Sequence, residues 1–395
     1  MGTLLGGIMV ADFSRVLAGP LATASLGDLG ATVIKVESLH GDDTRAWGPP
    51  FVDGESSYYL SVNRNKRSIA LDLKDPAGRR RARELAARAD VLVENFRPGV
   101  AERLGLGYEE LRAINPGLVY ASITGFGRDE PGRDLAGYDL IVQALSGLMC
   151  VTGDAEGEPT KVGVAIVDVL TGLHLQAGVL AALYGRTSSG TGQRVDVTLM
   201  GSALAGLVNQ ASAWLAAAVQ PHRNGNLHPS IAPYETLRAA DALVVVAVGN
   251  DSQFARFATA LGRPELIGDP RFATNPDRVA NRPQLRHELE ATLHNGTADH
   301  WVRVITEAGV ACGRVNSIPE AFGFAARTGL APTITIDRAD GPSVRQVANP
   351  VTFSETPVSY RLAPPRLGEH NDEILQWLDD VTDQDMKLRT GRITA

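Results

Sequence analysis

The chain has 395 residues, 44% of them hydrophobic and 21% charged, with 41 Gly, 22 Pro and only 2 Cys, which is length enough for two or three domains that bury their own cores without disulfide or metal staples. With 38 Lys and Arg against 45 Asp and Glu, the formal charge of −7 excludes the cationic footprint of a nucleic-acid binder. Met1 to Val10 lacks the basic and apolar regions of an export signal. Cys150 and Cys312 also stand apart from any C-x-x-C or Cys/His cluster, so a cytoplasmic, reducing environment is expected.

From residue 8 to about 127, five β-branched runs alternate with helical patterns: IMVADF (8–13), TVIKVE (32–37), SIALDL (68–73), VLVENF (91–96) and LVYASI (118–123). Such alternation predicts an α/β fold with a parallel sheet. Between the third and fourth runs, Asp75 to Asp90 sets Ala82, Leu85, Ala86 and Ala89 among Arg79, Arg80, Arg81, Arg83 and Arg88, the pattern of a crossover helix with a solvated basic face. The long apolar run from Val162 to Tyr184 holds Asp168, His174, Gln176 and three glycines, which suits a buried helix and not a membrane span. Helices are predicted over 169–186 and 197–219. Around Pro221 to Pro233 the composition turns to His, Asn, Pro and Gly, marking a domain boundary. A strand (ALVVVAVG, 242–249) and short helices follow, one opened by a Ser317/Glu320 capping box, and predict a smaller α+β domain. After Thr328, a strand-like ITI leads to PPRLGEHNDEILQWL (364–378) and a final helix.

The chemistry is narrowed first by what is missing. No G-x-G-x-x-G follows an early strand, and no P-loop, G-x-S-x-G or H-E-x-x-H occurs, which removes the dinucleotide, nucleotide, serine-hydrolase and zinc readings. Basic residues instead gather at strand ends and their loops: Arg15, Lys35, Arg64, Lys66, Arg67, Lys74, Arg97 and Arg103. Each alone also reads as a surface charge. Together, at the edge where parallel sheets bind ligands, they suit an anion with several phosphates. Asp168, flanked by Val167 and Val169, reads either as the N-cap of a helix starting at 169 or as a carboxylate nucleophile beside helix-start amides able to hold an oxyanion. Tyr138 and Asp139 either begin a helix over 140–145 or supply a phenol and a second carboxylate. Cys150 and Cys312 are expected to pack. His174, six positions beyond Asp168, falls on another helix face.

The ordered motifs resemble the class III CoA-transferase, or CaiB/BaiF, family: DFSRVLAGP (12–20), LGDLGATVIKVE (26–37), GDDTRAWGPP (41–50), NRNKRSIALDLK (63–74), ADVLVENFRPG (89–99), SITGFG (122–127), GYDLIVQALSGL (137–148), Asp168, GTGQRVDVTL (190–199) and LGEHNDEIL (367–375). The resemblance implies a Rossmann-like large domain from residues 1–221 and 329–395, a small α+β domain over 222–328, and an interlocked homodimer. It implies transfer of CoA from an acyl-CoA to a small carboxylic acid, with no metal or redox cofactor. Asp168 would be the acyl-accepting nucleophile. The implied CoA contacts are Val16, Ala18, Leu71, Asp72, Leu73, Lys74, Asn95, Phe96, Arg97, Arg103 and the loop from Ala136 through Tyr138 to Asp139.

Two departures stand out. Formyl-CoA transferases of the family carry an arginine where this chain has Ser38, and a glycine run that HRNGNLHPSIAPY (222–234) lacks, which counts against oxalate as acceptor. The alternative readings are an α-methylacyl-CoA racemase, whose GHDINY-like histidine is replaced in Gly137-Tyr138-Asp139-Leu140-Ile141-Val142, and a non-catalytic CoA-binding protein.

Overall fold

The computed structural model describes residues 3–380; the end of the expected C-terminal segment, 381–395, lies outside the described residues. The chain divides into two compact units. The first gathers residues up to Leu148, Val162–Ala218 and those from Ala331 onward, and the second comprises Met149–Lys161 with Val219–Leu330. Residues 149–161, placed with the large domain from sequence, belong to the second unit. Backbone bonds such as Gly225 N to Gly153 O, 3.0 Å, tie them there, a pairing across more than seventy positions that no local pattern reveals.

In the first unit, β1 (Met9–Asp12), β2 (Thr32–Glu37), β3 (Lys66–Ala70), β4 (Val91–Glu94), β5 (Val119–Thr124) and β6 (Arg194–Thr198) form one parallel sheet in the order β3-β2-β1-β4-β5-β6. The first five are the β-branched runs. β6 was visible only as part of the GTGQRVDVTL motif. Both faces are covered, which explains why the strands are apolar almost throughout. Val10, Val33, Val91, Val93, Val119 and Ala121 pack under α1 (Ala18–Asp28) and a long later helix, while Met9, Ala11, Ile34, Val36 and Leu92 face α2 (Pro76–Arg88) and the C-terminal helix. In α2, Ala82, Leu85 and Ala86 are buried, Arg80 and Arg83 are exposed, and Arg88 lies over the Trp377 ring.

After β5 come α3 (Asp139–Leu145) and α4 (Ile166–Ser189). α4 buries Leu175, Val179, Ala182 and Leu183 against the sheet. It starts three residues earlier than expected, so Asp168 sits in its first turn and is not its N-cap; the cap position is Ala165, whose side chain cannot accept a bond. The predicted 197–219 helix is broken into α5 (Leu199–Gly206) and α6 (Val208–Ala217), where Val208 takes a φ of 40°. A hairpin of Thr333–Ile336 and Val344–Val347 and the final helix α7 (Asn371–Asp380) complete the unit. α7 buries Ile374 and Leu378 in the same core as α2.

The second unit is built on an antiparallel sheet in which Leu243–Ala247 lies between Tyr234–Arg238 and Ala311–Arg314. Val244, Val246, Phe254, Phe257, Leu285, Leu289 and Ile305 form its core. The Ser317 amide and hydroxyl both donate to Glu320, at 2.7 and 2.6 Å, closing the predicted capping box. Cys312 is half-buried, and burial pushes its thiol up to about 11. Cys150, expected to pack, is exposed.

Candidate active site

Strand order reverses direction between β1 and β4, and the loops leaving such neighbouring strands diverge to leave a crevice at their carboxyl ends. A cavity of about 980 Å³ occupies that place, at the upper end of the usual range for small-molecule sites. Val16, Ala18, Asn95, Phe96, Arg97, Arg103, Tyr138, Asp139 and Asp168 all line it. Leu71, Asp72, Leu73 and Lys74 do not: they follow β3, an edge strand, and Leu71 is buried in the core beneath α2.

Three of the basic stations, Lys35, Lys66 and Arg64, prove to be internal counter-ions, and a fourth, Arg67, is paired at the surface. Lys35 and Lys66 are fully buried and paired with Asp42 at 2.9 Å and Asp12 at 3.0 Å. Arg64 is held by Asp28 at 2.6 Å and Arg67 by Glu373 at 3.0 Å. Burying a charge is tolerable only with such partners, and the partners were far enough away in sequence to go unseen. Arg45 lines the cavity but is spent on Glu37, with N–H···O distances of 2.8 and 2.7 Å. Arg15, Arg97, Arg103 and Arg133 remain as cavity cations. Arg15 meets only the exposed Asp43, at 3.3 Å, and Arg97 and Arg103 make no ion pair among the described residues. Such guanidiniums present planar donor forks to phosphate or carboxylate.

Asp168 reaches the cavity because two helices come close. A Cβ on Gly172 would stand 2.7 Å from the Ala18 carbonyl oxygen; with glycine there, α4 presses onto the first turn of α1, and Asp168 lies one turn before the contact. A second constraint comes from the 125–137 loop. Gly125 and Gly137 cross so tightly that a Cβ on either would come within 2.5 Å of the other's Cα, which closes the loop on itself and delivers Tyr138 and Asp139 at its exit.

Asp139 then caps α4 from outside that helix. Its Oδ1 accepts the amides of Val167 (2.8 Å) and Asp168 (3.3 Å), and its Oδ2 accepts the Gln143 side-chain amide (2.6 Å). The amides of Ile166 and Val169 go to the Val164 and Ala165 carbonyls. The first-turn amides of α4 are therefore occupied, and the oxyanion-holding role considered for them is not open. A carboxylate at a helix start is electrostatically favoured; here the favour goes to Asp139. Asp168 is left under burial and beside a like charge, and these push its carboxyl up to about 7, burial being the larger cause.

Tyr58 was not singled out from sequence. It packs edge-on to Trp47 with ring centroids 5.1 Å apart, and burial, reinforced by the charges of Asp168, Asp139 and Asp42, pushes its phenol up to about 12. It therefore stays a protonated donor. Arg133 was missed as well; its signal was only its place in the Gly-rich, charged loop before Tyr138. His174 bonds Ser202 across to α5, at 3.1 Å, and does not line the cavity.

Comparison with known proteins converges on one family. A family model described as CoA-transferase family III matches residues 5–371. The chain is 43% identical to a succinate–glutarate CoA-transferase of Agrobacterium fabrum, over 95% of this chain and 96% of that protein. It is 45% identical to an acetyl-CoA:oxalate CoA-transferase of Acetobacter aceti, over 80% and 81%. A crystal structure of a CaiB/BaiF family protein from Brucella suis superposes with a TM-score of 0.87 at 42% identity, covering 96% of this chain and all of that one.

Proposed function

The chain belongs to CoA-transferase family III, and from that premise we propose that it transfers CoA between short dicarboxylic acids through Asp168. The observation that carries the reading is a part-buried carboxylate, poised near neutrality, in a cavity it shares with Arg15, Arg97, Arg103 and Arg133. The named activities of relatives, pairing succinate with glutarate or acetyl-CoA with oxalate, support a dicarboxylate acceptor; glutarate is the first to test, since the glycine run linked to oxalate use is absent.

In the proposed sequence, a carboxylate oxygen of Asp168 attacks the thioester carbonyl carbon of the donor. The C–S bond breaks, leaving an acyl-aspartyl anhydride and CoA thiolate. The thiolate attacks the Asp168 side-chain carbonyl, which expels the donor acid as a carboxylate and forms an aspartyl-CoA thioester. The acceptor carboxylate attacks that thioester, regenerating thiolate and a new anhydride, and the thiolate then attacks the acceptor's carbonyl. Acceptor-CoA leaves and the Asp168 carboxylate returns. No net proton, electron or water is exchanged, so exclusion of water protects every intermediate. Trp47 gives the cavity an apolar wall, backed edge-on by Tyr58. Asp139 holds the start of α4, and with it the Asp168 backbone, in place.

Leu173 and Tyr184 on α4 and Val208, Trp214 and Leu215 on α6 are exposed, a large apolar area for one chain to leave to water, which supports the interlocked homodimer the family resemblance implies. Two unpaired thiols support a cytoplasmic setting.

Incubation with succinyl-CoA followed by hydroxylamine is expected to convert Asp168 to its hydroxamate, read by peptide mass spectrometry. An unmodified Asp168, or an Asp168→Asn variant with wild-type turnover, would refute the mechanism.

A further inference from the structure

The loop from Ser14 to Ala18 crosses the cavity wall in a shape its own sequence resists. Val16 has a φ of 71°, the left-handed region that a β-branched side chain strongly disfavours. Strain of this kind persists only where surrounding bonds over-determine it. Here they come from both sides.

From beneath, the buried Lys35 ammonium donates to the Ser14 carbonyl at 3.0 Å and to Asp42 Oδ2 at 2.9 Å. The Asp42 carboxylate accepts the Val16 amide at 3.3 and 3.4 Å. Asp42 is itself fixed by the Thr44 amide and hydroxyl, at 3.0 and 2.8 Å, and its own amide donates to Glu37 at 3.0 Å. From the other side of the crevice, Asn95 grips the next peptide groups. Its Oδ1 accepts the Arg15 amide at 2.9 Å, and its Nδ2 donates to the Arg15 carbonyl at 2.8 Å. Ser14 O, Arg15 N, Arg15 O and Val16 N are thus all engaged, and these bonds span β1, β2 and β4.

We propose that Lys35, Asp42 and Asn95 are positioning residues that force the Arg15–Ala18 loop into its left-handed form, so that the cavity wall is already shaped before CoA arrives. This rests on the reading of the cavity as a CoA site. It gives work to a buried ion pair that the transfer chemistry does not use. It also gives the Asn95 side chain a task on the loop backbone, through one bond at each of its polar atoms. A preformed loop binds more tightly because its ordering is complete before binding.

The test is a double-mutant cycle read by calorimetric titration with CoA, which needs no turnover. Glycine adopts a positive φ freely, so Val16→Gly removes the need for the clamp. Asp42→Asn in the wild-type background is expected to weaken CoA binding by about tenfold, and in the Val16→Gly background by less than about threefold. In steady state the loss should fall on KM for acyl-CoA more than on kcat. If Asp42→Asn does not fold, Thr44→Val, which keeps both charges and removes one hydroxyl bond, carries the same cycle with smaller factors. Equal losses in both backgrounds, or none in the wild-type background, would overturn the clamp while leaving the CoA reading intact. Wild-type protein that does not bind CoA would overturn both.

Discussion

Replacing Asp168 by asparagine should abolish transfer and, at the same time, stabilise the first unit. The carboxyl is pushed from an ordinary 3.8 to about 7 in the folded chain, so ionising it costs more in the fold than in the unfolded chain. Below pH 3.8 both states hold the proton and the group contributes nothing. Between 3.8 and about 7 the unfolded chain gives it up first, and stability falls by ~1.4 kcal/mol per pH unit for this group. Above about 7 both states are ionised and the deficit levels at about 2 to 4 kcal/mol, the lower end reflecting water that still reaches the carboxyl. Asparagine carries no such cost. Urea unfolding of both proteins at pH 4, 6 and 8, followed by hydrogen exchange of first-unit peptides, should show an advantage for Asp168→Asn that grows from pH 4 towards 7 and then stays constant. An advantage independent of pH, or a disadvantage that grows with pH, would refute the account of the Asp168 environment.

Three further outcomes follow from the same geometry. In the proposed mechanism only the ionised carboxylate attacks, so the rate of aspartyl adduct formation with acyl-CoA should rise with pH to a midpoint near 7 and then flatten, as followed by hydroxylamine trapping. Asp139→Asn should move that midpoint below 7 but not down to 3.8, since burial is the larger of the two causes and remains; loss of the charged cap should also cost about 1 kcal/mol of stability, measurable by thermal melting. Arg103→Ala should raise KM for acyl-CoA by about tenfold, with a weaker salt dependence than the wild type, while Arg64→Ala should act on stability, by leaving the buried Asp28 with its amide donors but no counter-ion, and not on the salt dependence of KM.

The sheet was legible because a doubly covered parallel strand leaves an unbroken apolar run, and the five runs from residue 8 to 127 have no competing helical period. Asp168 was legible for a related reason: an acid between valines inside such a run demands an explanation. Its partner was not. Asp139 bonds amides 28 and 29 positions ahead, and nothing local distinguishes a carboxylate that caps a remote helix from one that starts its own. The basic stations misled in the same way. Lys35 and Lys66 sit on strands of the sheet, but charge in a sequence carries no sign of burial, and Asp42 and Asp12 claim them. Leu71 to Lys74, named only through the family resemblance, do not line the cavity.

The crossing of Gly125 and Gly137 gives the site an exchangeable part. Because those two backbones meet at van der Waals limits, the residues between them hang from a closed neck, and the chain entering and leaving it is fixed whatever the interior contains. Arg133, Asp134, Leu135 and Ala136 face the cavity from inside this cassette, whereas Asp139 and Asp168 are anchored beyond it. Loops with pinned ends accept new sequence and length at small cost. Grafting the corresponding interior from a relative of different acid preference therefore tests whether this cassette sets the choice of acid, with Asp168 and its positioning partner Asp139 left in place.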